Sequence, residues 1–393
     1  MAHPRTTSAS PRWVHPAPGT LAMGVEEELL LVDPATLEAA PGAPAVLEHC
    51  AAEAPGQVSA EITTLQVEVK SVPHTAAEDL RAELLSLRRL AARGAERESM
   101  GVVASGLPVL GAVVPPPITP GDRYAQGVDT YRALHDEQSM CACQVHVDVP
   151  DLATALKVCN RLRPWLPVLL AMTVNSPFFA GRDTGYAGWR TLAWGRWPVA
   201  GPPPFFHSVT HYEDVLGTLT ESGALVDPAT AFWDVRPAPR LPTLEVRVAD
   251  MTSTAAESAV LAALVRALVA VSLREEERGE PVPVPSAEIL RAAHWRAARD
   301  GLEGSGLDVV SGQLLPAADL VERMTAHALP ALEQYGDSAL VLSGVRQLVR
   351  EGSGAARQRE AAAGPGGLAA VVRRQLTETV LGRTAPLLPS PRR

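Results

Sequence analysis

Four segments of the sequence alternate apolar with polar or charged side chains, and this alternation constrains the fold more than any other feature. They are residues 24–31 (GVEEELLL), 65–70 (LQVEVK), 143–148 (CQVHVD) and 243–248 (TLEVRV). Because successive side chains of a strand point to opposite faces, each segment predicts a strand with one apolar and one ionisable face. Fully covered parallel strands are instead continuous apolar runs, so the alternation favours a mostly antiparallel sheet with helices on one face.

The ionisable face is dominated by carboxylates. The residues that the alternation assigns to it are Glu26, Glu28, Glu68, Gln144, His146, Asp148, Glu245 and Arg247, whereas Glu27 falls on the opposite face. Like charges on neighbouring strand positions repel unless a cation lies among them. Carboxylates with one imidazole suit Mg²⁺ or Mn²⁺ better than zinc, so the pattern favours a divalent-metal site over four ordinary strands with solvated faces.

Glu61 is a further candidate ligand whose position is unusual. It precedes Glu68 by seven residues, and a straight strand would place the two side chains on opposite faces. Glu61 therefore joins the carboxylate face only if the chain turns or bulges around Thr63 and Thr64.

The order of the elements predicts an α+β fold in which helices cover one face of the sheet. Strands are predicted at 23–33, 65–72, 102–104, 141–149 and 243–249, and helices at 76–97, 153–174, 211–221, 254–278, 287–299 and several places within 317–380. Residues 351–367 are predicted to form a mobile loop. We expect a flexible arm over 1–22, a single catalytic domain over 23–383 whose part from about 254 is helical, and a flexible tail over 384–393.

Charge and lysine content exclude several classes of protein. A formal net charge of −9 argues against a protein that coats nucleic acid or an anionic membrane. The only lysines are Lys70 and Lys157, and neither lies in a Walker A loop, a kinase strand or a pyridoxal-phosphate site. If the protein handles a nucleotide, the phosphates are expected to be held by metal ions and arginines.

The remaining features predict a cytoplasmic protein. The chain starts without the apolar segment of a signal peptide, and its four cysteines are expected to be reduced thiols. The longest apolar stretch, 259–273, is interrupted by Arg266 and falls short of the roughly 20 residues that span a bilayer. No membrane-spanning helix is therefore expected.

Five motifs resemble a known family in order and spacing. They are GVEEELLLVDPAT (24–36), LQVEVKSVP (65–73), CACQVHVDVPD (141–151), NSPFFAGRDTGYAGWR (175–190) and WDVRPAPRLPTLEVRVADM (233–251). In these motifs the chain resembles the carboxylate-amine ligases of the glutamate–cysteine ligase type 2 family. The resemblance implies a glutamine-synthetase-like fold, with a curved, mostly antiparallel sheet whose carboxylate-lined face binds divalent metals and ATP.

The resemblance also implies roles for individual residues. Metal ligands would be Glu26, Glu28, Glu61, Glu68, His146 and Glu245, so a bend at Thr63 and Thr64 becomes an expectation of the family. Catalytic roles would fall to Arg247 and again to Glu68. Contacts with the nucleotide or substrate would come from Arg182, Tyr186, Arg190 and Arg236. The implied cofactors are ATP with Mg²⁺ or Mn²⁺.

The implied reaction joins a small carboxylic acid to an amine through an acyl phosphate, with release of ADP and phosphate. Such a reaction needs charge neutralisation and positioning more than a covalent nucleophile. Gln144 and Asp148 stand where the family commonly has histidine and glycine. This departure argues against assuming glutamate and cysteine as the substrates and indicates either a different acid and amine pair or weakened activity. A metal-dependent hydrolase and a non-catalytic relative that binds metal and nucleotide are the alternatives, and a homodimer is expected by resemblance only.

Overall fold

The structure, a computed structural model, describes residues 19–111 and 113–381. Most of the predicted arm and all of the predicted tail lie outside these ranges. The strands in the described ranges are β1 (Met23–Val32), β2 (Val58–Ala60), β3 (Gln66–Lys70), β4 (Gly101–Val103), β5 (Ala142–Asp148), β6 (Phe178–Phe179), β7 (Arg182–Asp183), β8 (Ala200–Gly201), β9 (Phe232–Trp233), β10 (Val235–Pro237), β11 (Thr243–Asp250), β12 (Ser305–Leu307) and β13 (Leu314–Pro316).

Helices lie between these strands and form the C-terminal part of the described chain. They are α1 (Ala43–Cys50), α2 (Ala77–Arg97), α3 (Asp122–Tyr131), α4 (Ala133–Asp136), α5 (Leu152–Leu162), α6 (Leu166–Thr173), α7 (Trp189–Trp194), α8 (Val209–Glu221), α9 (Ala255–Glu277), α10 (Ala287–Asp300), α11 (Ala317–Tyr335), α12 (Ser338–Glu351), α13 (Gly354–Ala363) and α14 (Gly367–Leu381).

The main sheet has the strand order β10-β11-β5-β1-β3-β2, and β4 pairs with the C-terminal end of β1. Every pairing in this sheet is antiparallel, so the predicted sheet type is confirmed. The strands with clear alternation lie side by side in its centre. Alternation could not reveal β2 or β10, because three residues are too few to display a period of two.

Helices α2, α6 and α9 contact strands of the main sheet. The apolar strand residues Val25, Leu29, Val67, Val145 and Leu244 are fully buried or nearly so. Helix α9 contacts both the sheet and the outer helices α11 and α12. One cluster of buried hydrophobic residues consequently runs from Met23 to Val372. The proposed domain boundaries stay a prediction.

Glu27 points from β1 towards the helices and forms a fully buried ion pair with Arg88 of α2. The Arg88 Nε and Nη2 donate to the two carboxylate oxygens of Glu27 at 2.7 and 2.8 Å. Arg88 also donates to the carbonyl oxygens of Thr252 and Ser253, just before α9. A polar network therefore ties β1, α2 and the start of α9 together inside an otherwise apolar layer.

Two predicted elements are wrong. The single helix predicted over 153–174 is divided into α5 and α6, because Pro164 lies in the connection and has no N–H with which to continue the helical hydrogen bonds. The loop predicted over 351–367 contains helix α13. The Ser353 hydroxyl caps this helix by accepting from the backbone N–H of Ala356, and alanine is the strongest helix former.

The predicted bend near Thr63 and Thr64 is present. Strand β2 ends at Ala60 and pairs antiparallel with β3, which begins at Gln66, so the chain reverses between them. Thr63 pairs with Ile118 in an isolated bridge within this reversal. The bend brings Glu61 back towards Glu68, which a straight strand would not do.

Helix α9 alone in the described ranges is long and apolar enough to cross a membrane by length and composition, and 78% of its most apolar window is buried inside the protein. Its Arg266 is buried, forms an ion pair with Asp337, and donates to the carbonyl oxygen of Thr75 at 2.6 Å. Burial of this kind is the property of a core helix. All four cysteines are buried and free.

Candidate active site

The register of the main sheet places the ionisable residues in rows across neighbouring strands. One row contains Ser59, Glu68 and Glu28; the next contains Lys70, Glu26 and Gln144; and a third contains His146, Glu245 and Arg236. Antiparallel pairs on one face bring opposite side chains within contact distance. The predicted carboxylate face is therefore a continuous surface and not a set of separate strand edges.

Three carboxylates form the most compact group on this face. Glu28, Glu61 and Glu68 each present an oxygen within 4.8 Å of the other two. Burial, together with the carboxylate of Glu61, raises the pKa of Glu28 to about 7. Burial and the carboxylate of Glu26 likewise raise the pKa of Glu68 well above its usual range. Burial is the main cause of both shifts and the neighbouring carboxylates add to it, although Lys70 contacts Glu68 at 2.6 Å.

Glu26 lies beside the trio in a different electrostatic setting. The His146 Nε2 is 3.8 Å from a Glu26 oxygen, and the His146 Nδ1 forms a 2.9 Å hydrogen bond with the Thr243 hydroxyl. Burial alone would raise the pKa of Glu26, but His146 and Lys70 together lower it to about 2. Glu26 is therefore ionised and paired within the protein.

Glu245 is held by two arginines. Arg236 donates to both of its carboxylate oxygens at 2.8 and 3.2 Å, and Arg247 forms an ion pair with it. Burial would raise the pKa of Glu245, but the two arginines hold it well below its usual range. Arg236 also donates to two backbone carbonyls, whereas the Nε of Arg247 has no hydrogen-bond partner among the described residues.

Gln144 connects the trio to this arginine pair. Its Nε2 donates to Glu28 at 2.7 Å, and its Oε1 accepts from Arg247. A neutral amide that donates on one side and accepts on the other satisfies both neighbours at once. Asp148, the other departure from the family pattern, accepts from the backbone N–H of Ala22 at 2.9 Å and does not line the cavity described next.

A cavity of about 430 Å³ lies over this face of the sheet. Among its lining residues are Glu26, Glu61, Glu68, His146, Glu245, Arg236 and Arg247, which were predicted, and Lys70, Tyr124, His135, Trp194 and Arg240, which were not. Lys70 shares the alternation of Glu68, so the sequence contained a signal for it. Tyr124 and His135 lie on α3 and α4, far from the motifs, and no spacing rule indicates that those helices approach the sheet.

Three predicted contact residues do not line this cavity. Arg190 pairs with Asp250 at 3.5 Å, and its charge opposes the rise in the pKa of Glu28. The exposed Arg182 lies over the ring of Trp189, and the hydroxyl of Tyr186 accepts from the indole N–H of Trp295 at 3.2 Å. Arg182 and Tyr186 are therefore not among the residues that line the cavity.

The carboxylate trio fits a hard divalent cation. Carboxylate oxygens are the ligands that Mg²⁺ and Mn²⁺ prefer, and the spacing of the three oxygens allows one ion to contact all of them. Burial and the neighbouring carboxylates raise the pKa of Glu28 and Glu68, and a bound cation would favour the ionised form of both groups. The donor set contains no thiolate, so it does not resemble a structural zinc site.

Comparison with known proteins places the chain in a family. The sequence profile of glutamate–cysteine ligase family 2 (GCS2) matches residues 22–374. A relative from Saccharopolyspora erythraea, named "Putative glutamate--cysteine ligase 2-1", is 44% identical over 368 residues, which cover 93% of this chain and 97% of that protein. A second, from Mycolicibacterium smegmatis and named "Putative glutamate--cysteine ligase 2-3", is 43% identical over 341 residues, or 86% and 92% of the two chains.

Solved structures share the fold at low sequence identity. A glutamate–cysteine ligase from Francisella tularensis in complex with AMP matches with a TM-score of 0.68 at 12% identity, over 92% of this chain and 89% of that one. A bifunctional glutathione synthetase from Pasteurella multocida matches with a TM-score of 0.64 at 14% identity, over 92% and 53%. These likenesses confirm the predicted fold class. The chain belongs to glutamate–cysteine ligase family 2.

Proposed function

We propose that the protein is an ATP-dependent carboxylate–amine ligase that forms an amide through an acyl phosphate, with glutamate and cysteine as the first substrates to test. The observation that carries the proposal is a compact carboxylate trio, of which Glu61 and Glu68 line the same cavity as a buried arginine, in a chain of this family. The carboxylate trio is suited to a metal–nucleotide complex, and the arginine is suited to an anionic substrate or a transferring phosphoryl group.

Glu28, Glu61 and Glu68 would hold Mg²⁺ or Mn²⁺. When bound, such an ion neutralises phosphate charge and orients the phosphates for in-line transfer. Glu26, His146 and Glu245, the other predicted ligands, already have partners within the protein, so they are the weaker candidates for direct coordination. The ionised carboxylates of Glu26 and Glu245 contribute to the negative charge of the same face.

Arg247 would neutralise charge on the transferring phosphoryl group or on the acid. Glu245 and Gln144 fix its guanidinium from two sides, and its Nε is left as a donor. A preorganised donor costs no reorganisation when charge develops in the transition state. Arg236 is proposed to act mainly through Glu245, whose carboxylate it holds.

The proposed reaction has two steps. A carboxylate oxygen of the acid attacks the γ-phosphorus of ATP, and the bond to the ADP oxygen breaks. The amine then attacks the acyl carbon, phosphate leaves with that carboxylate oxygen, and the nitrogen of the new amide loses one proton to solvent. Water would compete with the amine, so the site must exclude it, and Trp194 and Tyr124 are the wall residues placed to do so.

The test is ADP release with Mg²⁺ across a panel of amino acids and amines. We expect ADP only when an acid is present, and an amide product only when an amine is added. Hydrolysis of a phosphate ester or an amide in the absence of ATP would favour the metal-dependent hydrolase. Mg²⁺-dependent ATP binding by folded protein, with no ADP from any pair, would favour the non-catalytic relative.

A further inference from the structure

Lys70 is a charged residue in the cavity that the proposed chemistry does not use. It lies on β3, directly opposite Glu26 in the register with β1. Its Nζ is 2.6 Å from an oxygen of Glu68, and its side chain is 15% exposed. Lysine is ordinarily an ammonium ion at neutral pH, and the direct contact with the Glu68 carboxylate favours that charged form.

The other cations on the sheet face are committed elsewhere. Arg236 and Arg247 both pair with Glu245. Lys70 is thus the permanent cation that faces the two carboxylates on its side, Glu68 by direct contact and Glu26 across the strand pair.

A charge balance of the sheet face follows from these pairings. The carboxylates are Glu26, Glu28, Glu61, Glu68 and Glu245, and the permanent cations are Lys70, Arg236 and Arg247. In the metal-bound state the carboxylates that act as ligands must be deprotonated, so five carboxylates and three cations leave two negative charges when His146 is neutral. One divalent ion supplies this charge, whereas a second ion would leave the face positive and would have to approach the Lys70 ammonium.

We propose that Lys70 is a resident cation that occupies the position of a second metal ion between Glu26 and Glu68. In the absence of nucleotide, the sheet face then binds one divalent cation, at the carboxylate trio. This inference rests on the metal site of the proposed function. It assigns Lys70 a positioning role, because the ammonium holds the Glu68 carboxylate beside Glu28 and Glu61.

The experiment measures how many Mn²⁺ ions bind to the full chain without nucleotide, from the electron paramagnetic resonance signal of free Mn²⁺ during titration. We expect one tightly bound ion per wild-type chain. Lys70→Met removes the ammonium without adding a polar group, so we expect two. Lys157→Met is the matched control, because the other lysine lies on α5 with a side chain that is 61% exposed, and we expect it to bind one.

Two further variants keep the test decisive. Lys70→Arg retains the charge and should bind one ion, and Glu26→Gln combined with Lys70→Met should return the number from two to one. Two tight ions in the wild-type protein, or one ion in a Lys70→Met protein whose circular dichroism matches wild type, would overturn the inference. No Mn²⁺ binding to the wild-type protein would instead overturn the metal site of the proposed function.

Discussion

At the scale of single residues, the site is defined by how each carboxylate is compensated. Glu26 and Glu245 have cationic partners, whereas Glu28 shares its surroundings with two further carboxylates. Residues of one type on one face of a sheet therefore have different electrostatic settings. We therefore expect metal affinity and the pH dependence of stability to depend on the trio more than on the other carboxylates of the face.

Glu28→Gln tests the trio directly. The change removes one carboxylate while preserving the side chain's size, and we expect Mn²⁺ affinity to fall by at least about 10- to 100-fold, the loss typical even of groups that only orient ligands. Isothermal titration calorimetry with Mn²⁺ measures it. Glu213→Gln, an exposed position on α8, is the control that should leave the affinity unchanged. Equal affinities in all three proteins would show that Glu28 is no ligand.

The raised pKa of Glu28 predicts a pH dependence of stability in metal-free protein. Its folded value of about 7 lies above the ordinary value of 4.5, so the folded state binds this proton more tightly than the unfolded state. The stabilisation is complete below pH 4.5 and is lost as the pH rises through 7. Urea unfolding should show the free energy of unfolding falling across this window in wild type relative to Glu28→Gln. Parallel pH profiles for the two proteins would contradict the raised pKa.

The sequence predicted most residues of the site but not their pairings. Alternation placed Glu26, Glu28 and Glu68 on one face because a period of two needs only local geometry. Glu61 required a chain reversal, for which the offset of seven was a usable signal. Nothing in the spacing indicated that Gln144 bridges Glu28 and Arg247, since that contact depends on strand register.

At the scale of elements, the pair of Glu27 and Arg88 joins a sheet strand to two helices. Arg88→Ala would leave the Glu27 carboxylate buried without its cation, and such changes cost about 3–5 kcal/mol. We expect the free energy of unfolding in urea to fall by that amount. Arg81→Ala on the same helix removes an exposed ion pair and should cost at most about 1 kcal/mol. Equal losses in the two variants would show that the buried pair has no special weight.

Element prediction succeeded where local patterns were strong and failed where a single residue decides. The four alternating strands and the amphipathic α2 were predicted within a few residues. Pro164 ended a helix that its apolar content favoured, and Ser353 began one where glycines suggested a loop. The helices α3 and α4 of the cavity wall lack a motif, so only tertiary packing places them over the sheet.

At the scale of the whole molecule, α9 belongs to both the sheet layer and the C-terminal helices. If the chain from 23 to 383 is one domain with a helical cap, as the sequence predicts, both parts should unfold together. We expect circular dichroism and tryptophan fluorescence to report coincident urea transitions. Separate midpoints would assign the C-terminal helices to an independent domain.

The expected homodimer also stays a prediction, and light scattering of the full chain measures the oligomeric state.

In the proposed reaction, a carboxylate of the substrate is activated by phosphoryl transfer from ATP. The most direct measurement uses glutamate labelled with oxygen-18 in its carboxylates, together with ATP, Mg²⁺ and cysteine, and determines the mass of the phosphate released. An acyl phosphate intermediate predicts one oxygen-18 atom in each phosphate formed with the amide. Amide formation with unlabelled phosphate, or with AMP and pyrophosphate in place of ADP, would contradict an acyl phosphate intermediate.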